Sequence, residues 1–194
     1  MRAWPERVRR TAPRPTAFLD RDGTLNWDRP GFYVTGPGRL RLYAAAPEAV
    51  RLLNAKGYRV VVLTNQSAVG RGYMTMKASL AVNRKLVREL RRAGARVDAV
   101  YFCPHAPQAA CSCRKPRTGL IDEAVRDCPA DLPGSFMAGD KDSDMKMAAN
   151  AGLKGYLVRT GHARSAKAPG SFRDLPALAR ALPAAAETPK RKRK

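Results

Sequence analysis

The chain has 194 residues, with 37 Lys or Arg against 16 Asp or Glu, for a formal net charge of +21. No apolar run approaches the ~18 residues of a membrane span and no signal-type apolar segment follows the early arginines, so a cytoplasmic protein without membrane partners is expected. About +4 lies in each of residues 1–15 and 184–194, read as basic flexible ends; +13 then remains on 16–183, one domain-sized body that expects anionic ligands, phosphorylated small molecules or nucleic acid.

Thr16 to Leu19 is an apolar run leading into two carboxylates one residue apart, in Asp20-Arg21-Asp22-Gly23-Thr24. If the run is a buried strand, both acids stand at its tip, with Gly23 permitting the turn that returns Asp22 over the same crevice. Carboxylates that close repel one another unless a cation lies between them or one holds a proton. Asn26 to Leu42, rich in Gly and Pro and opening on Asp28, Gly31, Phe32 and Tyr33, reads as a long substrate-facing loop. Pro47, Ala49, Val50 and Leu53 followed by Gly57 describe a three-turn helix, and Tyr58 to Leu63 a strand ending in Thr64, Asn65, Gln66 and Ser67. Leu80, Leu86, Val87 and Leu90 mark a second long helix, closed by Gly94.

Val97 to Phe102 is a third strand, followed by a loop holding Cys103, His105, Cys111 and Cys113. Three thiolates and one imidazole at this spacing are a complete tetrahedral set for structural zinc, so residues 103–113 are read as a zinc-binding insert. Arg114, Lys115 and Pro116 come next, and Thr118 is placed to cap a helix carrying Leu120, Ile121, Ala124 and Val125. Cys128, taken to lie within that helix, reads as a buried thiol. Ser135 to Ala138 is a fourth strand, running into Gly139-Asp140-Lys141-Asp142-Ser143-Asp144 and a short Met- and Ala-rich helix stopped by Gly152. Gly155 to Val158 is a fifth strand and Leu175 to Leu182 a last helix. Strands alternating with helices imply βαβ units: an α/β, Rossmann-like three-layer αβα fold with a parallel sheet of five or more strands. Every notable polar cluster follows a strand end, where open α/β sheets bind their ligands.

The order of these parts resembles the haloacid dehalogenase superfamily of phosphatases, through DRDGT at 20–24, Thr64, Lys115 and GDKDSD at 139–144. The zinc loop, TNQS at 64–67 and CRKP at 113–116 narrow it: the chain is similar to the D-glycero-D-manno-heptose 1,7-bisphosphate 7-phosphatases and the related histidinol-phosphatases. The resemblance implies no large cap domain, the zinc loop taking its place, with Asp20 as the nucleophile, Asp22 as general acid and then base, and Thr64 and Lys115 as stabilisers of the transferring phosphoryl group. It implies Mg²⁺ held by Asp20, the Asp22 carbonyl and Asp140, with Asp144 in support, and Zn²⁺ held by Cys103, His105, Cys111 and Cys113. Asp28, Gly31, Tyr33, Asn65, Gln66, Ser67, Arg114 and Lys141 would bind the substrate, a small phosphorylated sugar. Against the shorter D-x-G-Y-V pattern of the family, the loop after Asp28 reads DRPGFYV, an insertion, and Arg117 stands where a small residue or glycine is expected. The expected protein is a monomeric carbohydrate-phosphate hydrolase. Histidinol phosphate and a 3′-phosphorylated polynucleotide are the alternative substrates, the latter fitting the basic surface but not the zinc loop. A non-catalytic zinc module binding nucleic acid through KRKRK at 190–194 would not need Asp20, Asp22, Lys115 and Asp140 together.

Overall fold

The structure is a computed structural model and describes residues 1–4, 12–162 and 170–185. A seven-stranded sheet has the spatial order β1-β4-β3-β2-β5-β6-β7. Its strands are β1 (Arg2–Trp4), β2 (Arg14–Leu19), β3 (Arg59–Asn65), β4 (Ala99–Cys103), β5 (Ala130–Gly139), β6 (Lys154–Val158) and β7 (Ser171–Phe172). All neighbours run parallel except β1, which pairs antiparallel with β4.

Alternation along the strands separates two cores. Ala17, Leu19, Val60, Val62, Val100, Phe102, Phe136 and Ala138 face one side, with helices α1 (Ala46–Ala55), α3 (Met76–Arg92), which follows the single turn of α2 (Ser67–Gly70), and α6 (Leu175–Ala181). Phe18, Val61, Leu63, Tyr101 and Met137 face the other, covered by α4 (Gly119–Asp127) and α5 (Asp142–Asn150). Each helix supplies apolar residues at 3.6-residue spacing, such as Val82, Leu86 and Leu90 of α3, so the three-layer arrangement follows directly from the two periodicities. The chain winds from β2 outward through β3 and β4, then returns to start again at β5 on the other side of β2. The carboxyl ends of β2 and β5 therefore flank a switch in winding direction, the place where such sheets leave a crevice.

The structure corrects four readings. Arg2–Trp4, expected in a loose basic tail, is an edge strand, and its Arg2 guanidinium pairs with Asp127 at 2.5 Å. Ala185, placed in the C-terminal tail, is tied to the body by its N–H on the Lys56 carbonyl (2.7 Å); residues 5–11 and 186–194, including KRKRK, lie outside the described residues. Thr118 sits at the N-terminus of α4 but is already in helical backbone, and its hydroxyl donates to Asp122 (3.0 Å) instead of capping an N–H. Cys128 lies just past α4 in extended backbone, half-buried. No helix among the described residues is long and apolar enough to cross a membrane.

Candidate active site

Asp20 follows β2 and is almost fully buried, its N–H bonded to the Ala138 carbonyl of β5 (2.8 Å). The next turn is made by Gly23, at φ +88°, where a side chain would collide with the Asp140 carboxylate, its Cβ only 2.2 Å from Oδ2. That close approach packs the Asp20 loop against the end of β5. The carboxylates of Asp20, Asp140 and Asp144 converge, with one oxygen of each within 4.8 Å of the others. Asp140 Oδ2 accepts the His162 N–H (2.7 Å), while its buried Oδ1 has no hydrogen-bond partner. An orphaned buried carboxylate oxygen among three acids fits a hard divalent cation. Burial, reinforced by the Asp20 charge, pushes the Asp140 carboxyl up to about 7. For Asp144 burial again leads, opposed by Lys115 and joined by Asp20, and the result is about 6.

Lys115 reaches this cluster from the loop after the Cys and His residues. Its Nζ lies 2.5 Å from Asp20 Oδ1, 2.6 Å from Asp144 Oδ1 and 3.1 Å from the Leu63 carbonyl. Burial disfavours its charge, but Asp144 and Asp20 outweigh that and raise its pKa. Asn65 holds the Lys115 backbone from both sides, accepting its N–H (3.1 Å) and donating to its carbonyl (3.3 Å). Asn65 thus lines the cavity while its amide is spent on positioning Lys115.

Asp22 faces a different set of groups. Arg21, fully buried, donates to both Asp22 oxygens (2.8 and 2.9 Å from Nη2), to Asn83 Oδ1 (2.9 Å) and to Gln66 Oε1 (2.9 Å). Asn26 and Gln66 add amide donors to Asp22 at 3.0 and 2.8 Å, and the Thr64 hydroxyl is 3.5 Å away. Burial would raise this carboxyl, but the Arg21 charge and the Asn26 and Arg21 hydrogen bonds outweigh it and hold the pKa below its ordinary value. The two acids of the motif are therefore electrostatically distinct, Asp20 against a lysine and two acids, Asp22 in a cage of donors.

Above them opens a cavity of about 300 Å³ lined by Asp22, Lys115 and all eight residues expected to meet substrate: Asp28, Gly31, Tyr33, Asn65, Gln66, Ser67, Arg114 and Lys141. Its volume lies at the lower end of the range for small-molecule sites. Lys141 Nζ and His162 Nε2 both meet Asp28 on the same oxygen, Oδ2, at 3.0 Å, which leaves Oδ1 for the cavity. Phe32, from the loop expected to face substrate, and Arg29, Val34, Ser143 and His162, not singled out in the sequence as substrate residues, complete the wall.

Beside the cavity, Cys103, His105, Cys111 and Cys113 form one cluster. Cys103 Sγ lies 3.5 Å from His105 Nδ1 and 3.6 Å from Cys111 Sγ, and Cys113 Sγ is 3.3 Å from Nδ1. Zinc bonds of ~2.3 Å to sulfur and ~2.0 Å to nitrogen at tetrahedral angles require edges of roughly 3.5–3.8 Å, so the cluster has the size of a metal site. Arg117, donating to the Cys111 carbonyl, braces the loop from outside.

Residues 112–179 match the HAD-hydrolase-like family model. A probable D-glycero-D-manno-heptose-1,7-bisphosphate 7-phosphatase of Thermoplasma acidophilum is 43% identical over 152 residues, covering 78% of this chain and 94% of that protein. The chain belongs to the heptose-bisphosphate 7-phosphatase family. A family member from Rhodopseudomonas palustris is 42% identical over 154 residues, 75% of this chain and 84% of its own length. The crystal structure of the D,D-heptose 1,7-bisphosphate phosphatase of Bordetella bronchiseptica, complexed with magnesium and phosphate, superposes with a TM-score of 0.78 at 36% identity, covering 86% of this chain and 96% of that one. Like the rest of its family, the chain is a phosphoric monoester hydrolase of the HAD-like α/β fold.

Proposed function

We propose that the chain hydrolyses the 7-phosphate of D-glycero-D-manno-heptose 1,7-bisphosphate through an aspartyl-phosphate on Asp20. The observation that carries this reading is the division of labour between the two acids. Lys115 occupies one oxygen of Asp20, with the second oxygen left to attack phosphorus. Asp22, 3.5 Å from the Thr64 hydroxyl and caged by Arg21, Asn26 and Gln66, is oriented towards the same space. It gives a proton to the departing sugar oxygen and takes one from the water that attacks the phospho-enzyme. The depressed pKa of Asp22 keeps it ionised, the form that accepts a proton from the attacking water; for the first half it takes a proton from solvent as the negative charge of the bound ester opposes the effect of Arg21 and raises its pKa. Thr64 and Lys115 donate to the equatorial oxygens of the transferring group. Mg²⁺, held by Asp20, Asp140 and the Asp22 carbonyl, would screen the nucleophile from the dianionic ester. Zn²⁺ at Cys103, His105, Cys111 and Cys113 would fix the loop that delivers Arg114 and Lys115.

The bisphosphate is preferred over histidinol phosphate on charge. Arg114 and Arg29 line the cavity, and neither guanidinium has a carboxylate partner among the described residues. A second phosphate finds donors there, whereas the ammonium of histidinol phosphate, itself a donor, meets two like charges. The test is kcat/KM with Mg²⁺ against heptose 1,7-bisphosphate, histidinol phosphate and a 3′-phosphorylated oligonucleotide. The bisphosphate should lead, and a lead by either other ester refutes the assignment.

A further inference from the structure

The insertion after Asp28 is a built element rather than slack. The Phe32 N–H bonds to the Arg29 carbonyl (3.1 Å), enclosing Pro30 and Gly31, and Gly31 has φ +76°. Proline followed by a positive-φ glycine is the signature of a type II turn, in which both central dihedrals are preset by residue type. The side chains on either side of the turn are stacked as well. The Arg29 guanidinium lies 5.5 Å from the centre of the Trp27 ring, Trp27 meets Phe32 edge to face at 5.1 Å, and Arg39 covers Phe32 at 5.0 Å. A cation on an indole face keeps its N–H donors in the ring plane directed outward while losing side-chain freedom.

The charges around the cavity single out Arg29 and Arg114. Lys115 is neutralised by Asp20 and Asp144, and Lys141 by Asp28. Arg21 lies beneath the floor on Asp22. That leaves Arg29 and Arg114, neither with a carboxylate among the described residues, and Arg114 Nη1 is buried with no partner at all. A buried guanidinium nitrogen without an acceptor is costly unless a ligand supplies one.

Taking the proposed function as its basis, we infer that Arg29 is a specificity-determining residue of this chain: with Arg114 it clamps the phosphate that is not hydrolysed, and the Pro30-Gly31 turn and Trp27 hold it ready to do so. The ligand class is a sugar ester carrying a second phosphate at the far end of the cavity. Two planar forks on one phosphate give paired, charge-assisted hydrogen bonds, whereas a lysine at the same place gives a single point contact. Because Trp27 and the turn fix Arg29 before binding, little ordering remains to be done in the complex.

The experiment compares the parent chain with Arg29→Ala, Arg29→Lys and Trp27→Ala on heptose 1,7-bisphosphate and on heptose 7-phosphate, which presents the same reacting group without the second phosphate. Arg29→Ala should raise KM for the bisphosphate about 10–100-fold and reduce kcat/KM for the monophosphate at least tenfold less than for the bisphosphate. Arg29→Lys should recover only part of that loss. Trp27→Ala, which keeps the charge but frees it, should fall between parent and Arg29→Ala. Equal losses on both esters, or no loss on either, overturn the inference, as does full rescue by lysine. Failure of the underlying substrate assignment shows separately, in the parent chain turning over another ester faster. The ratio of losses is then read on the doubly and singly phosphorylated forms of that ester, with the same outcomes supporting or overturning the clamp.

Discussion

Arg21→Met tests whether the site depends on a buried ion pair. The substitution keeps a side chain of similar length at a position with no solvent exposure, but removes the donors to Asp22, Asn83 and Gln66. What remains is a carboxylate whose side chain is only 16% exposed and which retains the two amide donors of Asn26 and Gln66. Breaking one side of such a pair costs about 3–5 kcal/mol, because the surviving charge stays buried. At ~2–4 °C per kcal/mol for a chain of this size, the melting temperature should fall by roughly 6–20 °C. The pH dependence changes sign as well. In the parent chain Asp22 is held below its ordinary pKa, so its contribution to stability is present above the unfolded value near 3.8 and disappears as pH falls through the lower folded value. Without Arg21, burial dominates and raises the folded pKa, so the variant should regain stability as pH is lowered towards the unfolded value. Thermal melts from pH 4 to 8 and the acid limb of kcat read both effects, and that limb should move to higher pH by about one unit or more. A melting temperature within ~2 °C of the parent, with an unmoved acid limb, would show that Arg21 does not set the state of Asp22.

Asp20→Asn should abolish hydrolysis while leaving circular dichroism and melting nearly unchanged, since Lys115 keeps Asp144 as a partner; turnover near the parent rate would sink the aspartyl-phosphate route. Asp140 near 7 and Asp144 near 6 mean that Mg²⁺ must displace protons, so its affinity measured by calorimetry should weaken up to ~10-fold per pH unit below about 7. The metal-free chain should correspondingly gain stability as pH falls from 8 through 7, because a carboxyl raised on folding is strained when ionised; a flat profile contradicts the crowding of the three acids. Cys111→Ser should lower both the zinc content by elemental analysis and the melting temperature, and impair kcat through Lys115; a parent chain purified without chelators that contains no zinc would overturn the reading of the loop.

The parts legible in the sequence were those encoded over short spans. A strand entering Asp20-Arg21-Asp22, thiols two residues apart, and polar quartets after apolar runs each announce themselves within about ten residues. The groups that were missed act across the fold. Arg21, between two acids, looks like a solvated counter-charge; only the helix period, which puts Ser79 and Asn83 on the buried face of α3 with Leu86 and Leu90, hints that a polar group must be waiting beneath. His162 follows β6 in a stretch with no motif, although it is one of only two histidines and the other already belongs to the cysteine loop. The β1 strand was hidden by composition: Arg2 and Trp4 flank a single inward Ala3, too short for alternation to register. Arg29 was visible as part of an insertion, but its stacking on Trp27 and its place on the cavity wall are tertiary facts.

The winding of the sheet also sets the order in which the protein becomes able to work. β2 pairs on one side with β3, where Leu19 meets Val62, but its other side waits for β5, where Leu19 meets Ala138. During synthesis at ~5–20 residues per second, the wholly apolar tip of the central strand therefore spends several seconds with an open hydrogen-bonding edge after its first neighbour has emerged. Open apolar edges recruit other chains. The same step that closes this edge brings Asp140 to Asp20 and so completes the acid cluster. Catalytic competence and protection from aggregation should appear together, and the onset of phosphatase activity in a refolding chain can serve as a clock for the closure of its sheet.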